Sequence, residues 1–140
     1  EDEKRMVAAV SEGRMASDFD LGQVQRVASR DEVLGMQLGT ALVRVDAAVL
    51  DYAVRIAAAT RKWPGISLGA GPRGSIGLVR AARAQAVLGG RDFVTPDDLR
   101  EIAKPVLRHR VSLAPERQIE GQSTDDVLHA LLAKVDAPRQ

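Results

Sequence analysis

The residues of this 140-residue chain whose types and spacing suit chemistry with phosphate lie between Gly69 and Arg83. The stretch GAGPRG, residues 69–74, fits G-x-G-x-x-G, which cradles a pyrophosphate when it joins a strand to a helix. Asp92 follows about 20 residues on, where an acid in such a fold would hold a ribose. The surroundings do not support that reading. A dinucleotide loop needs a buried strand of about five or six residues before its first glycine, and Pro64 and Gly65 leave room only for Ile66, Ser67 and Leu68. The segment AVLGGRDFVTP is too short and too glycine-broken for the second parallel strand, so Asp92 reads instead as a residue just before a helix cap. The same letters make a helix start, with Gly71 as N-cap, Pro72 at N1 and Arg73 at N2. Backbone N–H groups at a helix N-terminus favour an anion, and an arginine there adds a charge-assisted hydrogen bond to phosphate. Arg80 falls on the same helical face and Arg83 lies one turn beyond it. Spacing alone also describes a solvated face of an amphipathic helix.

The elements that must position these side chains read as helices. Residues 1–16 form a short helix or linker with Met6, Val7 and Val10 on one side, and residues 17–29, with Asp18, Asp20 and Gly22, form an exposed loop. Ser29 and Glu32 make a capping box that opens a helix through about Val43, where Val33, Leu34, Leu38 and Leu42 recur at helical spacing. Asp46 caps the next helix, to about Lys62, with an apolar face of Leu50, Ala53, Val54 and Ala57 and an Asp51–Arg55 pair opposite. Trp63-Pro64-Gly65 stops it. The helix begun at Gly71 runs to Leu88 and ends at Gly89-Gly90. Thr95-Pro96-Asp97-Asp98 starts another, carrying Leu99, Ile102, Ala103, Val106 and Leu107, with Pro105 shortening or kinking it. A polar loop spans residues 114–122. Ser123 or Thr124 caps a last helix bearing Val127, Leu128, Leu131 and Leu132. The expected fold is all-α, a bundle of about five or six helices with at most very short extended pieces. Residues 1–30 are expected as a linker and first helix, 31–134 as the helical domain and 135–140 as a tail.

Composition narrows the function classes. The chain is 45% hydrophobic and 28% charged but only 3% aromatic, which favours close-packed helices over a β-sandwich. It has no cysteine, which excludes disulfides and thiol chemistry, and two histidines far apart in sequence make a poor zinc site. A net charge of +1 with interspersed signs gives no basic nucleic-acid footprint. No aromatic stacking platform accompanies Arg73, Arg80 and Arg83 either. No apolar run is long enough to span a membrane, and the charged opening EDEKRM has no signal core, so a cytoplasmic protein is expected.

The run DYAVRIAAATRKWPGISLGAGPRGSIGLVRAARAQAVLGGRDFVTPDDLREIAKPVLRHRVSL resembles the C-terminal lid of the MoxR-type AAA+ ATPases. In that family a helix ends in Thr-Arg, matched by Thr60 and Arg61. A Gly-Ala-Ser-Pro-Arg segment opens the sensor-2 helix, matched by Gly69, Ala70, Pro72 and Arg73, with Gly71 where the family often has Ser. A Gly-Arg-Asp-(Phe/Tyr)-Val-Thr-Pro turn follows, matched from Gly90 to Pro96, and a Leu-x-His-Arg pair closes the block at Leu107, His109 and Arg110. Four elements in order, over about residues 46–113, make a specific signal.

The resemblance implies that Arg73 is the sensor-2 arginine, reaching the γ-phosphate of ATP when the lid closes over an ATPase core, with Gly71 and Pro72 shaping the helix start and Arg80 lining the same cleft. It implies ATP with Mg held mainly by that core, neighbouring subunits of a ring, and a von Willebrand factor A-domain partner of a chaperone-like ATPase. His109 and Arg110 read as helix-packing residues, and His109 and His129 as core or interface histidines. The chain has no G-x-x-x-x-G-K-[ST] run, and none of Lys4, Lys62, Lys104 and Lys134 follows a glycine. No apolar strand ends in paired acids. Hydrolysis is therefore not expected from these residues alone, no catalytic or metal-ligating residue is assigned, and a core is expected upstream of Glu1. One charged hydrogen bond supplies only about 1.5–3 kcal/mol, so these residues alone should hold ATP negligibly. The alternative is a helical protein-interaction module without a nucleotide role.

Overall fold

A computed structural model describes residues 1–11 and 24–138. The expected end of the first helix at 12–16, the loop over 17–23 with Asp18, Asp20 and Gly22, and the last two residues of the tail lie outside the described residues. The chain divides into two compact units, Glu1–Val33 and Leu34–Gln140. The first holds α1 (Asp2–Ser11), with Asp2 and Glu3 in its first turn and Met6 and Val7 exposed. It also holds the start of α2 (Arg30–Leu42). The Ser29–Glu32 capping box forms as expected: Ser29 N–H donates to Glu32 Oε2 at 2.6 Å and Glu32 N–H to Ser29 Oγ at 3.2 Å.

The second unit contains α3 (Ala47–Thr60), β1 (Ile66–Leu68), α4 (Pro72–Leu88), α5 (Pro96–Leu107), β2 (Ser112–Leu113), α6 (Pro115–Ile119) and α7 (Thr124–Leu132). β1 and β2 pair antiparallel in a two-stranded sheet. The all-α class is correct, with seven helices among the described residues rather than five or six. α6 lies inside the segment expected as a polar loop; five residues with no apolar period and no side-chain cap leave little to read in sequence. β2 is too short to show a period of two.

The core of this unit is built from one face each of α3, α4, α5 and α7. Tyr52 and Ile56 of α3, Leu78 of α4, Leu99 and Leu107 of α5, and Leu128 and Leu131 of α7 are fully buried, each removing about 1.5–3 kcal/mol of apolar exposure. Small residues let α4 lie close to its neighbours: Ala82 and Ala86 are fully buried, and a Cβ on Gly77 would sit 3.2 Å from Val106 Cγ1 of α5. Pro105 sits inside α5 without ending it, at the cost of one backbone hydrogen bond in the last turn.

Two expectations about faces need correction. Asp46 is the N-cap residue of α3, but its side chain makes no capping hydrogen bond. The buried face of α3 is Val49, Tyr52, Ala53, Ile56, Ala57 and Thr60, so Leu50 and Val54, expected inside, are exposed. The apolar stripe on α3 is wider than the face its neighbours cover. α2 goes further: none of its residues is buried, and Leu42 is 82% exposed.

Candidate functional site

The corner that carries Arg73 is built by the end of α3. Thr60, fully buried, donates its hydroxyl to Ala57 O at 2.6 Å and accepts from Ala70 N–H at 2.8 Å. Arg61 Nη1 donates to Ala70 O at 2.8 Å. Both polar groups of the Ala70 backbone are thus held by adjacent residues at the C-terminus of α3. Gly69 lets the chain approach that closely: a Cβ there would lie 2.5 Å from Arg61 Cα and 2.6 Å from Arg61 N, both backbone atoms that cannot swing away. Gly74, behind the corner, packs where a Cβ would meet Ala70 Cβ at 2.9 Å.

From this anchored loop α4 starts as expected. Gly71 is the N-cap with extended φ and ψ (−81°, −172°), and Pro72 opens the first turn. Gly74 N–H returns to Gly71 O at 2.8 Å. Gly71 has open space around the position of a Cβ, so its φ does not demand glycine, and a serine would fit there. Arg73, one residue into the helix, is exposed and makes no ion pair or side-chain hydrogen bond among the described residues. Its guanidinium is presented to the outside by a rigid corner.

Arg80 and Arg83 do not share that corner. They line a 400 Å³ groove between α3 and α4 with Leu50, Val54, Ile76 and Val79, and Arg73 is not among its lining residues. Asp92, the position a dinucleotide site would assign to a ribose ligand, is an exposed residue ion-paired with Arg44 at 3.4 Å. Its carbonyl accepts from Arg44 N–H at 2.9 Å, in the short bridge that leads into α5.

The Gly-Arg-Asp-Phe-Val-Thr-Pro turn has a structural explanation. Arg91 donates through Nη1 and Nη2 to the two carboxylate oxygens of Asp98, at 2.8 and 2.6 Å. Asp98, only 4% exposed, also accepts from Thr95 N–H at 2.7 Å and completes the capping box of α5. The Arg91 hydrogen bonds, with help from Thr95, hold the Asp98 carboxyl below the usual carboxylate range against the opposing effect of burial. Gly90, at φ +69°, takes the left-handed turn that brings Arg91 into position. Leu107 closes the core, and Arg110 lies beside Gly77 of α4, in keeping with a packing role. His109, in the turn after α5, and His129, in the last turn of α7, are both exposed, which corrects the core half of the expectation of core or interface histidines. Sequence reasoning named Thr60 and Arg61 only as matching letters. Their adjacency at a helix end, with Arg61 nine residues before the middle residue of a G-x-G, was the available signal for a clamp.

The family model of the AAA lid domain matches residues 58–131, from the end of α3 into α7 and just over half of the chain. The chain belongs to the AAA lid domain family. Over 84% of its length the lid is 36% identical to the uncharacterized protein YeaC of Bacillus subtilis, and over the same share it is 34% identical to Chaperone MoxR1 of Mycobacterium tuberculosis. It spans 37% and 33% of those proteins, about a third of the curated relatives it matches. A crystal structure of a candidate ATPase from Cytophaga hutchinsonii is similar over 98% of the lid and 43% of that chain, with a TM-score of 0.77 and 30% identity. These likenesses make it a lid of the MoxR type. Among the described residues no helix is long and apolar enough to cross a membrane, and no three His, Cys, Asp or Glu side chains gather as a metal-ligand set.

Proposed function

We propose that this lid reports ATP occupancy in a larger ring-forming, chaperone-like AAA+ ATPase, with Arg73 as the residue that reads the γ-phosphate. The observation carrying the proposal is the combination at the α4 corner. Arg73 is exposed and without a hydrogen-bond or ion-pair partner among the described residues, while the backbone beneath it is fixed by Thr60, Arg61 and Gly69. A guanidinium held this way costs little to reorganise when a phosphate arrives, which is what electrostatic stabilisation of a charged group requires. The start of α4 adds the positive end of its dipole. Bound ATP with Mg would be held mainly by an ATPase core, which supplies the hydrolytic chemistry. The lid's own residues orient toward the phosphate: Arg73 as donor, with Gly71 and Pro72 as the helix start that aims it. Closing the lid on ATP and opening it after hydrolysis would then couple nucleotide state to ring assembly, and a protein with a von Willebrand factor A domain is the proposed partner.

The test belongs in the full-length protein. Arg73→Ala should lower the ATPase rate by about 10- to 100-fold, the equivalent of one charge-assisted hydrogen bond of about 1.5–3 kcal/mol, and should weaken ATP-dependent assembly. Unchanged ATPase rate and assembly in that variant would remove Arg73 from the role.

A further inference from the structure

The groove between α3 and α4 has no task in the reading above. Its walls are apolar: Leu50 and Val54 from α3, 42% and 52% exposed, and Ile76 and Val79 from α4. Arg80 and Arg83 line the same groove, and neither makes an ion pair or side-chain hydrogen bond among the described residues. Asp51, the one acid among the described residues lining the groove, is already engaged by Arg55 Nε at 2.7 Å. Arg83 Nε is buried and has no acceptor among the described residues, so packing rather than a hydrogen bond holds the side chain there.

We propose that this groove docks an amphipathic helix of a partner protein, one that lays apolar side chains between α3 and α4 and presents carboxylates to Arg80 and Arg83. Exposed apolar side chains from two adjacent helices form the kind of furrow into which the ridge of a third helix packs. The contiguous patch they make is what a protein-binding surface looks like when uncovered. The arginines decide the sign of the partner. Two cations beside an apolar floor, with no free acid among the described residues that line it, repel a basic helix and reward an acidic one. Pairing there is stronger than on open surface, because the apolar walls exclude water from the charges. A phosphate ligand would leave the apolar floor uncovered, so the shape of the groove favours a helix over an ion.

The proposal is tested by fluorescence anisotropy with the whole 140-residue chain. The probes are two labelled alanine-based helical peptides of about 15 residues. Both carry leucines at i, i+3 and i+7; one has glutamates beside them and the other lysines. The glutamate peptide should bind at least about tenfold more tightly than the lysine peptide. Arg83→Glu, checked for folding by circular dichroism, should invert that preference, and Val54→Asp should abolish binding of both. Equal affinity for the two peptides, indifference to Arg83→Glu, or no binding of either would overturn the proposal. So would competition of the glutamate peptide by ATP, which would make the groove a nucleotide surface. Self-association of the chain that Val54→Asp abolishes would likewise overturn it, giving the groove to a second copy.

Discussion

Arg73 and Arg91 stand at the entrances to successive helices and end in opposite circumstances. Arg91 is consumed by the fold: its guanidinium meets both oxygens of the buried Asp98, which also caps α5. Arg73 is spared by the fold: everything around it is fixed, by Thr60, Arg61 and Gly69, but its own charge meets nothing inside the chain's described residues. The two belong to neighbouring motif elements and look equally important as letters. Internal pairing separates them. An arginine whose partner is a buried carboxylate of its own domain works for stability, and one that is held in place but left unpaired is available to something outside the domain.

The comparison breaks most readily at the clamp. Gly69→Ala should cost about 3 kcal/mol or more, because its Cβ would collide with backbone atoms of Arg61 rather than with a flexible tip. Chemical denaturation should register that loss. If the variant were as stable as the parent, the corner would not be rigid and the contrast with Arg91 would fail.

Arg91→Ala should come next, at about 2–3 kcal/mol, since it strands a carboxylate that is 4% exposed with only Thr95 left to satisfy it. Its effect should depend on pH with a definite sign. The folded-state pKa of Asp98 is lowered, first by Arg91 and then by Thr95. The stability it contributes is therefore present above the unfolded value of about 3.9 and is lost as pH falls through the folded value. Urea titrations of parent and variant should accordingly converge in acid and stay apart at neutral pH. A gap independent of pH would mean that the ion pair is not what Arg91 contributes.

Thr60→Val keeps the shape of the side chain and removes both its hydrogen bonds, leaving the Ala70 N–H buried without its partner. It should lower stability by about 1–2 kcal/mol and, in the full-length ATPase, carry part of the Arg73→Ala defect. Smallest of all is Arg73→Ala measured on folding alone: an exposed side chain without a hydrogen bond or ion pair among the described residues should stay within about 0.5 kcal/mol of the parent. A thermal melt lowered as far as that of Arg91→Ala would erase the distinction between the two arginines.

Local signals in the sequence carried further than long-range ones. Pro72 at a first helical turn and Gly71 before it mark the start of α4 because proline's fixed φ and missing N–H fit only there. The capping boxes at Ser29 and Thr95 are visible because they are made within four consecutive residues. The strand pair was half visible, since a two-residue β2 has no periodicity and exists only because β1 is there to pair with it. The buried face of α3 was misjudged for a related reason. Leu50 and Val54 are as apolar as Ile56, and hydrophobicity does not say which part of a wide stripe a neighbour covers. The roles of Thr60 and Arg61 were legible only as a family resemblance, because their partner, Ala70, contributes nothing but its backbone.

By itself, then, the sequence determined the helical class, the starts and stops of most helices, the failure of the dinucleotide pattern and the importance of the GAGPRG corner. These follow from backbone geometry and side-chain chemistry acting over a few residues. Tertiary structure alone decided which arginine is neutralised and which is left open, and which apolar side chains are core and which line a groove. Those outcomes depend on which surfaces distant segments bring together, and one chain's local pattern is compatible with several of them until packing selects one.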